Sequence, residues 1–200
     1  MSTPVFPAPR RIRRAGSLSP CAALHSLTFP AAWTDALLPG ARFIQERLQQ
    51  PVNLRATASG EASRAGDIFC TRCPTLDAPE AYRIDATQPS RILIDAAAPV
   101  GLFRAWTTAV DLLSGGSDNA KSGYRIDDSP ALAERGFMLD ISRCKVPTMP
   151  RLFALVDALA ALKINQLQLY TEHTFAFAGH ETVWRNSGAM TPDQILELDR

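Results

Sequence analysis

The sequence predicts an α/β protein in two parts. An α+β layer of mixed strands and helices runs to about residue 130, and a parallel β-α-β unit follows. Three observations carry this. Two β-rich runs, 81–85 and 91–95, lie either side of the turn formers Gln88-Pro89-Ser90, the pattern of a hairpin. Over 99–113, apolar residues recur at spacings of three and four, which makes one helical stripe. Beyond Pro130, two strand patterns, 135–141 and 164–170, flank a helical stretch, and each runs out into polar groups. Strand-helix-strand units with functional groups at the strand ends are how α/β barrels build active sites.

Residues 1–20 are rich in Pro, Arg and Ser and read as a disordered basic leader. Arg10, Arg11, Arg13 and Arg14 place +4 there, so with a formal net charge of +1 the rest carries about −3 (+1 less +4). A near-neutral body argues against a nucleic-acid surface. An arm touching RNA or membrane, or a twin-arginine export signal, is the other reading of this start. A secretory signal needs an unbroken apolar run of roughly 7–15 residues, and Pro20, His25 and Pro30 interrupt it here. No run approaches the ~18–20 apolar residues of a membrane span. The expectation is a soluble, cytoplasmic chain with no membrane and no nucleic-acid partner.

Residues 21–130 form the α+β domain. The stretch 30–50 is helical but broken at Pro39-Gly40, and its second piece puts Phe43, Ile44, Arg47 and Leu48 on one face. A strand and loop are expected over 52–65, and a short strand over 67–70. The hairpin follows. The helix over 99–113 buries Leu102, Phe103, Trp106, Ala109, Val110 and Leu113, and Ser114-Gly115-Gly116 stops it. A strand at 124–127 leads to the linker Asp128-Ser129-Pro130, which sets the domain boundary.

Residues 131–200 carry the β-α-β pattern. Phe137, Met138, Leu139 and Ile141 form a nearly continuous apolar run, as in a strand buried on both faces. Thr148 is the helix N-cap, with Pro150 in the first turn. Leu152, Leu155, Val156, Leu159 and Leu162 form the helix's buried stripe. Thr191-Pro192-Asp193-Gln194 opens a last helix with a capping box.

The cysteines are Cys21, Cys70, Cys73 and Cys144. Cys70 and Cys73 have C-x-x-C spacing, but no second pair exists to complete four zinc ligands. They read as ordinary reduced thiols, with a disulfide as the alternative. His180-Glu181-Thr182-Val183-Trp184 begins like the zincin motif H-E-x-x-H, but Trp184 stands where the second histidine belongs, so no metal is expected. No nucleotide-binding glycine motif or serine-hydrolase elbow is present, and no cofactor is expected.

Three residues are site candidates. Arg143 closes the first strand, and its fork of donors suits vicinal hydroxyls or a carboxylate; a surface ion pair is the alternative. Glu172 ends the second strand. If Leu167 and Leu169 face the helix, then Gln168, Tyr170 and Glu172 share the other face, which points into a site or into solvent. His173 is adjacent and could bind substrate or move a proton, or be structural.

The run Arg135-Gly136-Phe137-Met138-Leu139-Asp140-Ile141-Ser142-Arg143, the helix 155–162 and Lys163-Ile164-Asn165 together resemble the start of the catalytic barrel of family 20 glycoside hydrolases, the β-N-acetylhexosaminidases. Residues 81–113 resemble the small zincin-like α/β domain that precedes that barrel. The resemblance covers roughly 80–184 and implies the first β/α units of an incomplete TIM (β/α)8 barrel. It implies a substrate of N-acetylhexosamine-containing glycans, held in part by Arg143, with Glu172 and His173 near it. The strand here ends Tyr170-Thr171-Glu172-His173, where the family carries a histidine-rich strand and paired aspartates, which implies a divergent branch.

In the family a glutamate acts as general acid, and an aspartate orients the substrate's acetamido group, which is itself the nucleophile. That pair lies on a later strand. A full barrel takes about 250 residues, and 66 follow Glu134 (200 less 134). The expectation is an N-terminal portion with no catalytic residue within it and no turnover alone. A non-catalytic carbohydrate-binding or interaction module is the alternative.

Overall fold

The computed structural model describes residues 5–17, 25–48, 51–88, 90–114, 122–143 and 145–199. The chain divides into two compact units, Met1–Ala131 and Leu132–Arg200. Cys21, Cys144, Pro89 of the expected hairpin turn, and the Gly115-Gly116 helix stop lie outside the described residues.

The first unit is a seven-stranded mixed sheet with two helices. In chain order it runs β1 (Arg11–Ser17), β2 (Ser26–Pro30), α1 (Thr34–Leu48), β3 (Asn53–Thr57), β4 (Asp67–Arg72), β5 (Tyr82–Gln88), β6 (Arg91–Ala96), α2 (Pro99–Ser114) and β7 (Ser122–Asp128). The strand order is β1-β7-β5-β6-β4-β2-β3. β3, β2, β4 and β6 run parallel, with α1 as the crossover from β2 to β3. β5 pairs antiparallel with β6, as the hairpin reading expects, and β7 joins β5 to β1.

Alternation decides the faces. Ile84 and Ala86 on β5, Ile92 and Ile94 on β6, and Tyr124 and Ile126 on β7 are buried. They meet Leu102, Ala105, Trp106 and Val110 of α2, and Leu37, Ala41 and Ile44 of α1, in one core. Trp106 sits edge-on to Phe29, with ring centroids 6.1 Å apart. The burial of α2 is wider than the stripe read from its apolar residues, because Arg104, Thr107 and Thr108 are covered too. A buried charge persists only when paired, and Arg104 Nε donates to Glu80 at 3.0 Å. Tyr82 donates to Asp128 at 2.7 Å and shares a 2.6 Å hydrogen bond with Thr108.

Two expectations are corrected in this unit. The leader is not disordered throughout. Arg11–Ser17 form the edge strand β1, with Arg11 opposite Asp127 and Ile12 opposite Ile126. Ile12 packs against the core, and the Arg10 amide is anchored on Asp128 at 3.0 Å. Charged residues are a normal way to blunt a sheet edge, so basic composition did not mean disorder. Gly123 makes the docking possible: a Cβ there would lie 2.1 Å from the Ala15 carbonyl oxygen.

The break at Pro39-Gly40 does not occur either. α1 runs through both residues. Pro39 forfeits one hydrogen bond near the helix start, while Leu37, Ala41 and Ile44 keep the helix on the core. Gly40 lets it approach α2, since a Cβ there would sit 2.7 Å from the Phe103 ring.

The second unit holds β8 (Gly136–Asp140), α3 (Met149–Ala161), β9 (Gln166–Tyr170), the short α4 (Glu181–Trp184) and α5 (Pro192–Asp199). β8 and β9 are adjacent and parallel, in register from Gly136↔Gln166 to Asp140↔Tyr170. Lys163 takes a left-handed φ of 60° just past α3, a common way to end a helix, and β9 starts after it. The capping box is present on α5: the Thr191 amide donates to Gln194 at 2.9 Å, and the Gln194 amide to Thr191 at 3.3 Å.

β8 is not buried on both faces. Phe137 is 42% exposed and Met138 57%. One layer covers the pair: Leu139 and Leu169 pack with Ile141, Leu152 and Met190. Leu162, expected in the stripe of α3, is exposed. Among the described residues no helix is long and apolar enough to cross a membrane.

Candidate functional site at the strand ends

The two ends of the β8–β9 pair do different work. At the start, Asn165 and Arg135 tie the strands together. The Asn165 side chain accepts from the Arg135 amide at 2.8 Å and donates to the Ala133 carbonyl at 2.7 Å. The Arg135 guanidinium donates to the carbonyls of Lys163 and Leu132, at 2.9 and 2.6 Å. These residues open the Arg135–Arg143 run and close the Lys163-Ile164-Asn165 strand entry, so this half of the signature is structural.

At the other end the candidate site residues gather. The Ile141 amide donates to the Tyr170 carbonyl at 3.0 Å, which carries the pairing one residue past β8. Asp140 then turns the chain: its Oδ1 accepts from the Ser142 amide at 2.8 Å and hydroxyl at 2.5 Å. Those two hydrogen bonds hold the Asp140 carboxyl below the usual carboxylate range. The turn delivers Arg143 to the rim, where its Nη2 donates to Glu172 Oε1 at 3.2 Å. The Tyr170 hydroxyl donates to the same oxygen at 3.2 Å. Its hydrogen bond to Glu172 and the nearby carboxylate charge push the Tyr170 phenol up, so it stays a donor. Arg143's own hydrogen bond to Glu172, and then the charge of that carboxylate, push its guanidinium up as well.

Arg143 and Glu172 thus meet, as their positions at neighbouring strand ends suggest. Both are open to solvent, their side chains 70% and 45% exposed. An ion pair this exposed contributes little to stability, so its interest lies in the groups it presents. The carboxylate is oriented by two donors on one oxygen, and Arg143 keeps the rest of its fork toward solvent.

His173 is one residue further and exposed. Its carbonyl accepts from Ser187 at 2.7 Å, but its ring joins no hydrogen bond or ion pair among the described residues. Tyr170 and the Asp140–Ser142 turn were not singled out from sequence. Alternation along β9 put Tyr170 on the face of Glu172, and that was the available signal.

The other motifs show no such convergence. His180 Nδ1 lies 3.1 Å from the Ala178 carbonyl, and among the described residues no His, Cys, Asp and Glu cluster suited to a metal is gathered. Cys70 and Cys73 are free thiols. Burial, and then the charge of Asp95, push the Cys70 thiol far up, which keeps it protonated and unreactive.

Glycosyl hydrolase family 20, domain 2, matches residues 2–129. The chain belongs to glycosyl hydrolase family 20. Solved structures resemble it over 84% to 98% of its length. A GH20 exo-β-N-acetylglucosaminidase from Vibrio harveyi, in complex with N-acetylglucosamine, is 25% identical with a TM-score of 0.63, over 84% of this chain and 25% of that one. A β-N-acetylhexosaminidase from Bacteroides fragilis is 22% identical with a TM-score of 0.70, over 95% of this chain and 39% of that one. For the Streptomyces plicatus N-acetyl-β-hexosaminidase in complex with Thio-NAglucal the values are 19%, 0.71, 98% and 42%. This family 20 chain spans between a quarter and about two-fifths of the length of those structures. No curated protein matches it.

Proposed function

We propose that these residues are the N-terminal portion of a β-N-acetylhexosaminidase acting on terminal N-acetylhexosamine by substrate-assisted, retaining hydrolysis. The first unit is then the zincin-like accessory domain, and β8-α3-β9 the first strands of a (β/α)8 barrel. The observation that carries the reading is the Arg143–Glu172 pair at the C-terminal ends of adjacent parallel strands, in a chain of family 20. In barrel enzymes that end bears the active site.

The roles follow from the donor and acceptor inventory. Arg143 donates to neighbouring ring hydroxyls with charge-assisted hydrogen bonds. Glu172 keeps Arg143 pointed and accepts from a further hydroxyl, and Tyr170 holds that carboxylate still. His173 stands beside them as a further sugar contact. Substrate-assisted cleavage needs a proton donor at the glycosidic oxygen and a carboxylate orienting the acetamide. Asp140 is committed to its turn, and Glu172 cannot fill both roles. These residues therefore position the sugar and leave proton transfer to a later strand.

Two assays test this. The 200-residue chain is expected to release no product from an aryl N-acetylglucosaminide. In a catalytically complete polypeptide carrying these residues, Arg143→Ala is expected to lower kcat/KM by about 10–100-fold, the effect of losing charge-assisted hydrogen bonds. Turnover by the 200 residues alone, or full activity of the variant, would overturn the proposal.

A further inference from the structure

The open face of the seven-stranded sheet, away from α1 and α2, carries a charge pattern that the sugar rim does not use. Strand register lays it out in rows. One row crosses β1, β7, β5, β6 and β4 as Arg11, Asp127, Arg83, Asp95 and Thr71. The next runs Arg13, Arg125, Asp85, Leu93 and Phe69. Within these rows Arg83 Nε donates to Asp127 at 3.0 Å, Arg125 Nε to Asp85 at 3.2 Å, and Thr71 to Asp95 at 2.6 Å.

The pattern fails at one place. Arg13 lies directly opposite Arg125, and like charges directly opposite across a strand pair are destabilising. No carboxylate pairs with Arg13 among the described residues. Arg11 faces Asp127, which Arg83 already engages. Beside this cationic corner runs a groove of about 570 Å³, lined by Thr71, Arg83, Asp85, Asp95, Arg125 and Asp127 among others.

We infer that this face binds an acidic oligosaccharide, with its sulfate or carboxylate held between Arg13 and Arg125 and its hydroxyls lying along the groove toward Asp95. Guanidinium forks match the geometry of such oxyanions, and an anion between them relieves the Arg13–Arg125 repulsion. The groove offers alternating donors and acceptors, which suit a hydroxyl-rich chain. It does not suit a nucleic acid. The sugar's anionic group sits at the corner, clear of Asp85, Asp95 and Asp127, whereas a nucleic acid carries a phosphate at every residue and brings several against those carboxylates. Phe69, the one aromatic residue lining the groove, is 6% exposed, so bases find no surface on which to stack.

The test is an NMR titration of the isotope-labelled 200-residue chain. The probes are a tetrasaccharide in sulfated, uronate-bearing and neutral forms, and a single-stranded oligonucleotide of equal charge. Amides of β1, β7 and β5 are expected to shift with the acidic sugars. The neutral form is expected to bind at least tenfold more weakly, a difference of about 1.4 kcal/mol. The tighter of the two acidic forms identifies the anionic group. Arg13→Ala is expected to weaken binding about tenfold while leaving the amide spectrum of the sheet core in place, and Arg13→Lys to retain part of the affinity. Equal binding of neutral and acidic forms, an unchanged Arg13→Ala, shifts elsewhere only, or tighter binding of the oligonucleotide would each overturn the inference.

Discussion

The two units are built from equally clear sequence patterns, yet they bury them differently. In the first, two helices close over one face of a wide sheet, and Trp106, Ile84, Ile94 and Leu102 are almost wholly covered. In the second, a parallel pair of strands has one helical layer, and its core is little more than Ile141, Leu152 and Met190. An apolar groove of about 600 Å³ lies along β9, lined by Leu167, Leu169, Phe175 and Ile195 among others. The apolar run in β8 is as strong as any in the first unit, but a run states only that a strand can be buried. What covers it is decided by tertiary neighbours.

Core truncation breaks this comparison most directly. Trp106→Ala is expected to cost about 3–5 kcal/mol, the usual range for deleting a large buried aromatic. Leu152→Ala, in the thinner core, should fall at the low end for leucine deletions, about 2–3 kcal/mol. Urea unfolding, with amide exchange in each unit, measures both. Equal losses would mean that the second core is as deep as the first.

A smaller effect tests the edge strand. Gly123→Ala drives a Cβ into the Ala15 carbonyl, and overpacking of this kind costs about 1–3 kcal/mol. Loss of exchange protection confined to β1 and β7 is the expected signature. A neutral substitution would return residues 11–17 to the disordered leader that composition suggested.

The smallest effect is at the rim. The Asp140 carboxyl is held below its ordinary range by Ser142, so its contribution is fully present above the unfolded carboxylate pKa of about 3.9 and is lost as pH falls through the lower folded value. The Ser142 amide should keep its resonance at neutral pH and move only in that acid window. A transition above about pH 5 would assign the turn to another group.

Legibility followed how local the causes are. The β5–β6 hairpin, the stripe of α2 and the Thr191–Gln194 capping box rest on spacing within a few residues, the β8–β9 pair on a strand-helix-strand order, and all were readable. The misreadings involve partners far along the chain. β1 depends on β7, more than a hundred residues away, and on the missing side chain of Gly123. α1 runs through Pro39 because its far face packs on the core. Arg104 is buried because Glu80 meets it. At the candidate site, Arg143 and Glu172 could be named from their positions at strand ends. Alternation put Tyr170 on the face of Glu172, but what Tyr170 and the Asp140–Ser142 turn do there was not legible, because it depends on which oxygen each donor reaches.

The central claim is that Arg143 and Glu172 act together on the sugar. A double-mutant cycle of Arg143→Ala and Glu172→Gln tests it in a catalytically complete polypeptide carrying these residues, read by kcat/KM on an aryl N-acetylglucosaminide. Each single variant should lose activity, about 10–100-fold for Arg143→Ala, and the double variant should lose clearly less than the product of the two, because each orients the other. Unchanged kcat/KM in both single variants, or strictly multiplicative losses, would contradict the account.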